Sequence, residues 1–434
     1  MFPISKSVSR LALVAALALG GTAGALGLAA PAAAKEAKAE GGSYSPAFAK
    51  GAAAIQKEMD ALSTKKGKVP EAELKATANQ LAPRVEALVP SVSTPMDKAV
   101  AGQWLYQVGT TGGNDQATIK GLDLMLASGT LPPTTAAQVS VMRGQYAYVG
   151  KDYAKAIELL GPQAAAGAAD ETSVRMLADA YVQQNRAAEG IRALQTAIRA
   201  QQGAGKAVPE SWYKAGLSLA LNTKALNDAG LFSSGLASNY PSTANWAVAI
   251  SVVRMLGAFQ PQDMLDLLRL MDRTNSFSEG NEYLDYIQSA DARRLPGEVN
   301  RIIAKGMAAG KISTSDTFVA ESRTIASTRM AADKASLPAA ERDARAPAAS
   351  TAAVMGVADA FLSYEQPATA ESLYQVALAK PGVDANRALT RLGIAQVDQG
   401  KYAEAQASFA KVTGVRKPIA DLWSIYAAQK AKGG

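Results

Sequence analysis

An all-α fold assembled from antiparallel helix pairs is predicted for this chain by three observations. Anchor residues of one helix–turn–helix pattern return every 34 to 38 residues, Pro and Gly punctuate the boundaries between helical stretches, and no period-two strand run appears anywhere. A helix pair cannot bury its own apolar face, so the recurrence predicts stacking of pair upon pair into an α-solenoid.

The elements follow in order. Lys6 and Arg10 precede an uncharged run from Leu11 to Ala30, closed by Ala32-Ala33-Ala34, so residues 1–34 read as a secretory signal cut after Ala34. A permanent anchor is the alternative, because 20 uncharged residues can span about 30 Å of hydrocarbon. Glycines at 20, 21, 24 and 27 favour removal, leaving no membrane span in the mature chain. Residues 35–93 form an N-terminal helical segment, with helices over 46–62 and 70–89 joined by the polar turn Ser63 to Lys68.

The repeats proper are expected over 94–310. Trp104 opens a pair whose first helix is broken early by the glycine-rich stretch Gly109 to Asp115. Gly144, Tyr153, Ala156 and Leu160 mark the next pair, and Leu177, Ala178 and Tyr181 with Gly190, Leu194 and Ala197 the one after. The connector Gln202 to Pro209 leads to Trp212 and Gly216, and Trp246 follows 34 residues after Trp212. Tyr283, Tyr286 and Ile287 form one helical face, and Pro296 and Glu298 start a second helix carrying Val299, Ile302 and Ile303. Residues 311–350 are poor in large apolar side chains and read as a solvated helix plus linker. Over 351–434 come two repeats and a capping helix from Ile419 to Lys430.

The cleanest copy is Leu389-x-x-Leu392-Gly393-x-x-Gln396-x-x-x-Gly400-x-Tyr402-x-x-Ala405-x-x-x-Phe409. Gly393 and Ala405 are small where two helices cross closely, Leu389, Leu392 and Phe409 fill the volume around them, and Gly400 with Tyr402 marks the turn. This spacing resembles the tetratricopeptide repeat, with large residues at repeat positions 4, 7, 11 and 24 and small ones at 8, 20 and 27, and the resemblance implies a right-handed α-solenoid. In that register Trp104, Trp212, Trp246 and Trp423 all fall on position 4.

Composition narrows the chemistry. The chain has no Cys and no His, which excludes disulfides, thiolate nucleophiles, imidazole triads and histidine-ligated metals. Ser211–Lys214 and Ser408–Lys411 match Ser-x-x-Lys but lack the companion motifs of penicilloyl-serine enzymes. Glu321-Ser322 and Glu371-Ser372 resemble the Glu-Ser pair of lytic transglycosylases without the segment that shapes their active site. Glu279, Glu282 and Asp285 share a helical stripe and read as a solvated face. Gly203-Ala204-Gly205-Lys206 lacks the first Gly and the Ser/Thr of a phosphate loop and reads as a connector. No catalytic residue, metal site or cofactor is expected. Net charge is +7, falling to +5 once Lys6 and Arg10 leave with the signal, with acids and bases interleaved, which argues against nucleic acid.

In the repeat family the concave groove binds ligands through the first helix of each pair. Carried onto this chain, the resemblance implies that Tyr148, Arg175, Asp179, Tyr213, Arg254 and Arg387 line such a groove. The expectation is a non-catalytic periplasmic scaffold or adaptor holding a protein or peptide partner in the cell envelope. A cell-wall glycan-binding or carboxylate-dependent glycan-cleaving envelope protein is the alternative.

Overall fold

A computed structural model describes residues 43–257 and 259–433. Residues 1–34, read from the sequence as a secretory signal, lie outside them. Among the described residues there are helices and no strand. The chain divides into two compact units between Trp212 and Tyr213, inside the stretch read from sequence as one solenoid. Helix α9, Glu210–Asn222, carries that boundary.

The N-terminal unit holds α1 (Pro46–Lys65), α2 (Glu71–Leu88), α3 (Pro95–Gly112), α4 (Asp115–Ser128), α5 (Pro133–Val149), α6 (Tyr153–Ala165), α7 (Glu171–Gln183) and α8 (Ala187–Gly203). Each packs chiefly on its chain neighbours, as stacked pairs require. The first two helices match the segments expected at 46–62 and 70–89. Phe48, Ile55, Met59 and Leu62 of α1 meet Leu81 and Val85 of α2 and Trp104 of α3 in one cluster, the Phe48 and Trp104 rings stacking at 6.0 Å.

Asp97 secures this end. It is fully buried, accepts the amides of Ser93 at 3.0 Å and Thr94 at 3.1 Å, and takes the Ser45 amide at 3.1 Å from 52 residues away. Burial alone raises its pKa, but hydrogen bonds from Ser93, Ser45 and Thr94 outweigh it and bring it down to about 2. Its stabilisation is therefore complete above the unfolded value of about 4 and is lost as pH falls towards about 2. Asp97→Asn should remove about 2–3 kcal/mol at neutral pH and flatten that acid limb, read by urea unfolding at pH 7 and pH 3. Equal slopes for the two proteins would disprove the assignment.

Glycine shapes the next pair. A Cβ on Gly102 would stand 2.8 Å from the Gly121 carbonyl oxygen and 2.8 Å from the Met125 nitrogen, and one on Gly121 would strike the Tyr106 backbone, so α3 and α4 touch main chain to main chain. Gly109 and Gly112 lie inside α3, and only Gly113, at φ 70°, stops it. This corrects the reading of Gly109 to Asp115 as an early break. It also corrects the register of Trp104, because Gly102 and Gly109, not the residue four after the Trp, are the small residues at the crossing.

The C-terminal unit contains the rest of α9 and α10 (Leu226–Asn239), α11 (Thr243–Leu256), α12 (Pro261–Arg273), α13 (Gly280–Ala290), α14 (Pro296–Ala308), α15 (Thr317–Ala344), α16 (Thr351–Ser363), α17 (Pro367–Leu378), α18 (Ala385–Val397), α19 (Tyr402–Phe409) and α20 (Lys417–Ala431). Here Trp212's successor Gly216 and Gly393 behave as the repeat pattern predicts. A Cβ on either would enter the ring of Phe232 or Phe409, respectively, the second at 2.6 Å from Cζ.

Across both units the turn between the helices of a pair recurs in one form. Lys151, Asn185, Lys224, Glu365 and Gly400 all take positive φ between 57° and 75°. After each, the next amide reaches back to the helix before: Asp152 to Ala147, Arg186 to Tyr181, Ala225 to Ala220, Gln366 to Phe361 and Lys401 to Gln396. Gly suits this left-handed position, yet four of the five are occupied by residues that carry a Cβ.

Two features of this unit differ from the sequence reading. The 311–350 stretch holds one 28-residue helix, α15, running through Pro338 and burying Val319, Ser322, Ala326, Leu337 and Ala344 on one side. The pairs also do not stay open. Helix α20 returns to pack on α10, α11 and α12, while α18 also meets α12. Trp423 Nε1 donates to the Asp266 carbonyl at 2.8 Å, and Gln429 Nε2 to the Ala237 carbonyl at 2.7 Å. Helix α12 is thereby enclosed, with every residue from Leu265 to Asp272 buried.

Candidate functional site

Three of the six residues expected to line a groove come together in the N-terminal unit, on the first helices of successive pairs. Tyr148 of α5 is half-buried and donates its hydroxyl to Asp179 Oδ2 of α7 at 2.6 Å. Burial first, then the Asp179 hydrogen bond, push the Tyr148 pKa up, while Arg175 one turn earlier on α7 works against them. Gln183 Nε2 donates to the same carboxylate at 3.3 Å. Arg175 is exposed, and Val182, two turns further along the same helix, leaves an apolar side chain 37% exposed. An aromatic ring, a cation, an acid and an apolar group thus share the facing surfaces of α5 and α7, a combination suited to peptide recognition. Asp170 and Gln145 support the arrangement from below: Asp170 caps α7 by accepting the Ser173 amide at 2.7 Å, and Gln145 Nε2 donates to Asp170 at 3.1 Å and to Ser173 at 2.9 Å.

The other three are used inside the C-terminal unit. Tyr213 is buried at 3% exposure, where Asn239 donates to its hydroxyl at 3.2 Å and its ring fills the space beside Gly235, so it lines no open groove. Repeat register alone does not distinguish a solvated face from one covered by tertiary packing. Arg254 reaches Asp285 of α13 at 2.5 Å. Arg387 Nη2 donates to Asp359 at 3.0 Å and to Gln262 at 3.3 Å, at the edge of a buried ionic cluster.

That cluster was not foreseen from sequence. Asp266 of α12 accepts Arg269, Arg391 of α18 and Arg416, all buried, at 2.8 to 3.2 Å. Arg269 forks onto Glu298 of α14 through two bonds at 2.8 and 2.7 Å, and Tyr286 adds its hydroxyl to the same carboxylate at 2.5 Å. Arg391 also holds Asp359 of α16 at 2.5 Å, to which Tyr374 donates at 2.8 Å. Burial opposes the charge on Asp266, Glu298 and Asp359, yet the facing arginines prevail and hold all three carboxyls below their usual range. A second group ties Asp272 of α12 to Lys305 and Arg301 of α14, and Arg273 to Asp398 at 2.8 Å. The signal available in the sequence was the polar stripe of α12, where Asp263, Asp266, Arg269 and Asp272 recur every three residues and mix both signs of charge on one face.

The remaining motif residues have structural partners. Ser211 donates to Glu171 at 2.5 Å and Ser408 to Gln396 at 2.8 Å. Glu371 is buried and accepts Gln396, Gln399 and Lys401, and Ser322 lies on the buried side of α15. Glu282 does not face solvent: it accepts the amides of Ser278 at 2.6 Å and Glu279 at 3.0 Å and caps α13. Gly203 ends α8 and Gly205 turns at φ 66°, the connector expected there.

The protein is of the all-α class, an α-solenoid of antiparallel helix pairs resembling tetratricopeptide repeats, whose C-terminal unit is closed on itself by α20. No protein-family model and no curated protein matches the chain. Among solved structures it is similar to a chain of "Structure of Naa15/Naa10 bound to HypK-THB", at 14% identity and a TM-score of 0.32, over 84% of this chain and 58% of that one. The chain therefore spans less than two thirds of that protein's length. No helix among the described residues is long and apolar enough to cross a membrane.

Proposed function

We propose that the protein is a non-catalytic scaffold or adaptor of the bacterial periplasm, which holds a protein or peptide partner of the cell envelope on the α5–α7 face of its N-terminal unit. The observation that carries this reading is the exposed Arg175 beside the Tyr148–Asp179 hydrogen bond, because those side chains converge without being spent on a closed ionic core. Export rests on the Lys6-to-Ala34 segment alone. The tying of Glu371, Ser408 and Ser211 into repeat contacts supports a binding role over hydrolysis.

The test is photo-crosslinking in intact cells from a probe placed at Val182, compared with one at Glu158 on the second helix of the preceding pair. A discrete adduct from Val182, absent from Glu158 and lost when Arg175→Glu is added, is the expected result. Equal labelling from both positions, or an adduct indifferent to Arg175→Glu, would remove this face as the binding surface.

A further inference from the structure

The ionic cluster in the C-terminal unit, counted together with its exposed rim, is not neutral. Its ion pairs connect Arg269, Arg294, Arg387, Arg391 and Arg416 with four carboxylates, Asp263, Asp266, Glu298 and Asp359, one arginine more than the acids within that set. The excess collects at one place, the start of α12, around Gln262. Its side-chain oxygen accepts Arg294 at 3.4 Å, Arg387 at 3.3 Å and Arg391 at 2.9 Å, while its carbonyl accepts Arg391 at 3.1 Å and Arg416 at 3.0 Å. One neutral amide oxygen is thus asked to satisfy three guanidinium groups, more than its two lone pairs can serve well. Donors outnumber acceptors here: among the described residues, the buried Nε atoms of Arg387 and Arg416 have no hydrogen-bond partner. Asp384, the nearest acid along α18, is occupied in capping that helix through the Arg387 amide at 3.0 Å.

The place is open to solvent. The Arg294 side chain, on the loop between α13 and α14, is 44% exposed and that of Arg387 25%, so they form the rim over a buried Arg391. Burial first, and then the proximity of Arg391, lower the Arg387 pKa against the pull of Asp359 and Asp266. From this geometry we infer that the Gln262–Arg294–Arg387 rim is a binding site for a single carboxylate. A carboxylate fits because its two oxygens match the paired N–H groups of guanidinium, and its one charge equals the excess. The charge-assisted bonds it offers replace the weak sharing of Gln262 Oε1. The site does not depend on the α5–α7 face, so either can fail alone.

Titration calorimetry with sodium acetate, against sodium chloride at matched ionic strength, tests the site on the intact protein. One saturable site is expected, with a Kd on the order of 1 mM. Arg294→Gln should weaken it about tenfold, as loss of one charge-assisted bond implies, and Arg387→Gln at least as much, with circular dichroism confirming that each variant is folded. A short peptide with a free C-terminus, run beside its amide, separates the two sources of carboxylate. Tighter binding of the free acid than of acetate assigns a chain terminus, and equal binding a small free acid. Absence of saturable acetate binding, binding unaffected by Arg294→Gln, or saturation by inorganic phosphate but not by acetate overturns the inference.

Discussion

Asp266→Ala is expected to destabilise the C-terminal unit by about 3–5 kcal/mol, the range found when one partner of a buried ion pair is removed. The carboxylate is fully buried and accepts three arginines, so its deletion strands Arg269, Arg391 and Arg416 away from water. Asp266→Asn, which keeps an acceptor but not the charge, should fall between the variant and the parent. The measurement is the urea midpoint followed by tryptophan fluorescence, since Trp423 bonds the Asp266 carbonyl and reports on this packing directly. A loss below about 1 kcal/mol would mean that the cluster contributes no more than a surface ion pair. The pH profile adds a sign. Asp266, Glu298 and Asp359 all have depressed pKa values, so their contribution is present above the unfolded carboxyl range near 4 and is lost as pH falls below it.

Gly121→Leu should cost about 3 kcal/mol or more in the N-terminal unit, at or beyond the upper end of ordinary overpacking. The atoms in its way are the Gly102 carbonyl and the Tyr106 backbone, which cannot rotate aside, so α3 and α4 must separate along their length. Gly393→Ala is the useful contrast. There the obstacle is the Phe409 ring, which can shift, and alanine gains about 1 kcal/mol of helix propensity, so the net loss should be smaller. Thermal unfolding of the two variants side by side reads the difference. The idea that backbone contact sets the cost fails if Gly121→Leu proves the milder.

Much of the fold is legible in local residues. Gly393 and Phe409, or Gly216 and Phe232, pair a small residue with a ring at a fixed spacing because helix geometry brings them to the same crossing. The rule failed at Trp104, where Gly102 and Gly109 make the crossing and the indole turns to Phe48. It also failed at α15, whose few apolar residues were read as too thin to pack. Val319, Ser322 and Ala326 follow one stripe, and small side chains suffice where helices approach closely.

The candidate site divides along the same line. Tyr148, Arg175 and Asp179 could be placed together from register, since neighbouring first helices present equivalent positions to each other. Tyr213 and Arg387 could not, because nothing in their own helices says whether another helix will cover them.

The sequence by itself determined the helices, their turns and the pairing of each with its neighbour, all of which depend on residues a few positions to some tens of positions apart. Which charged residues face water was decided by the tertiary structure. Arg391 meets Asp266 across 125 residues of chain, and Arg416 meets it across 150. A polar stripe on α12 looks the same in sequence whether water or arginine solvates it. Only the return of α20 onto α10, α11 and α12 excludes the water and leaves the arginines to do so.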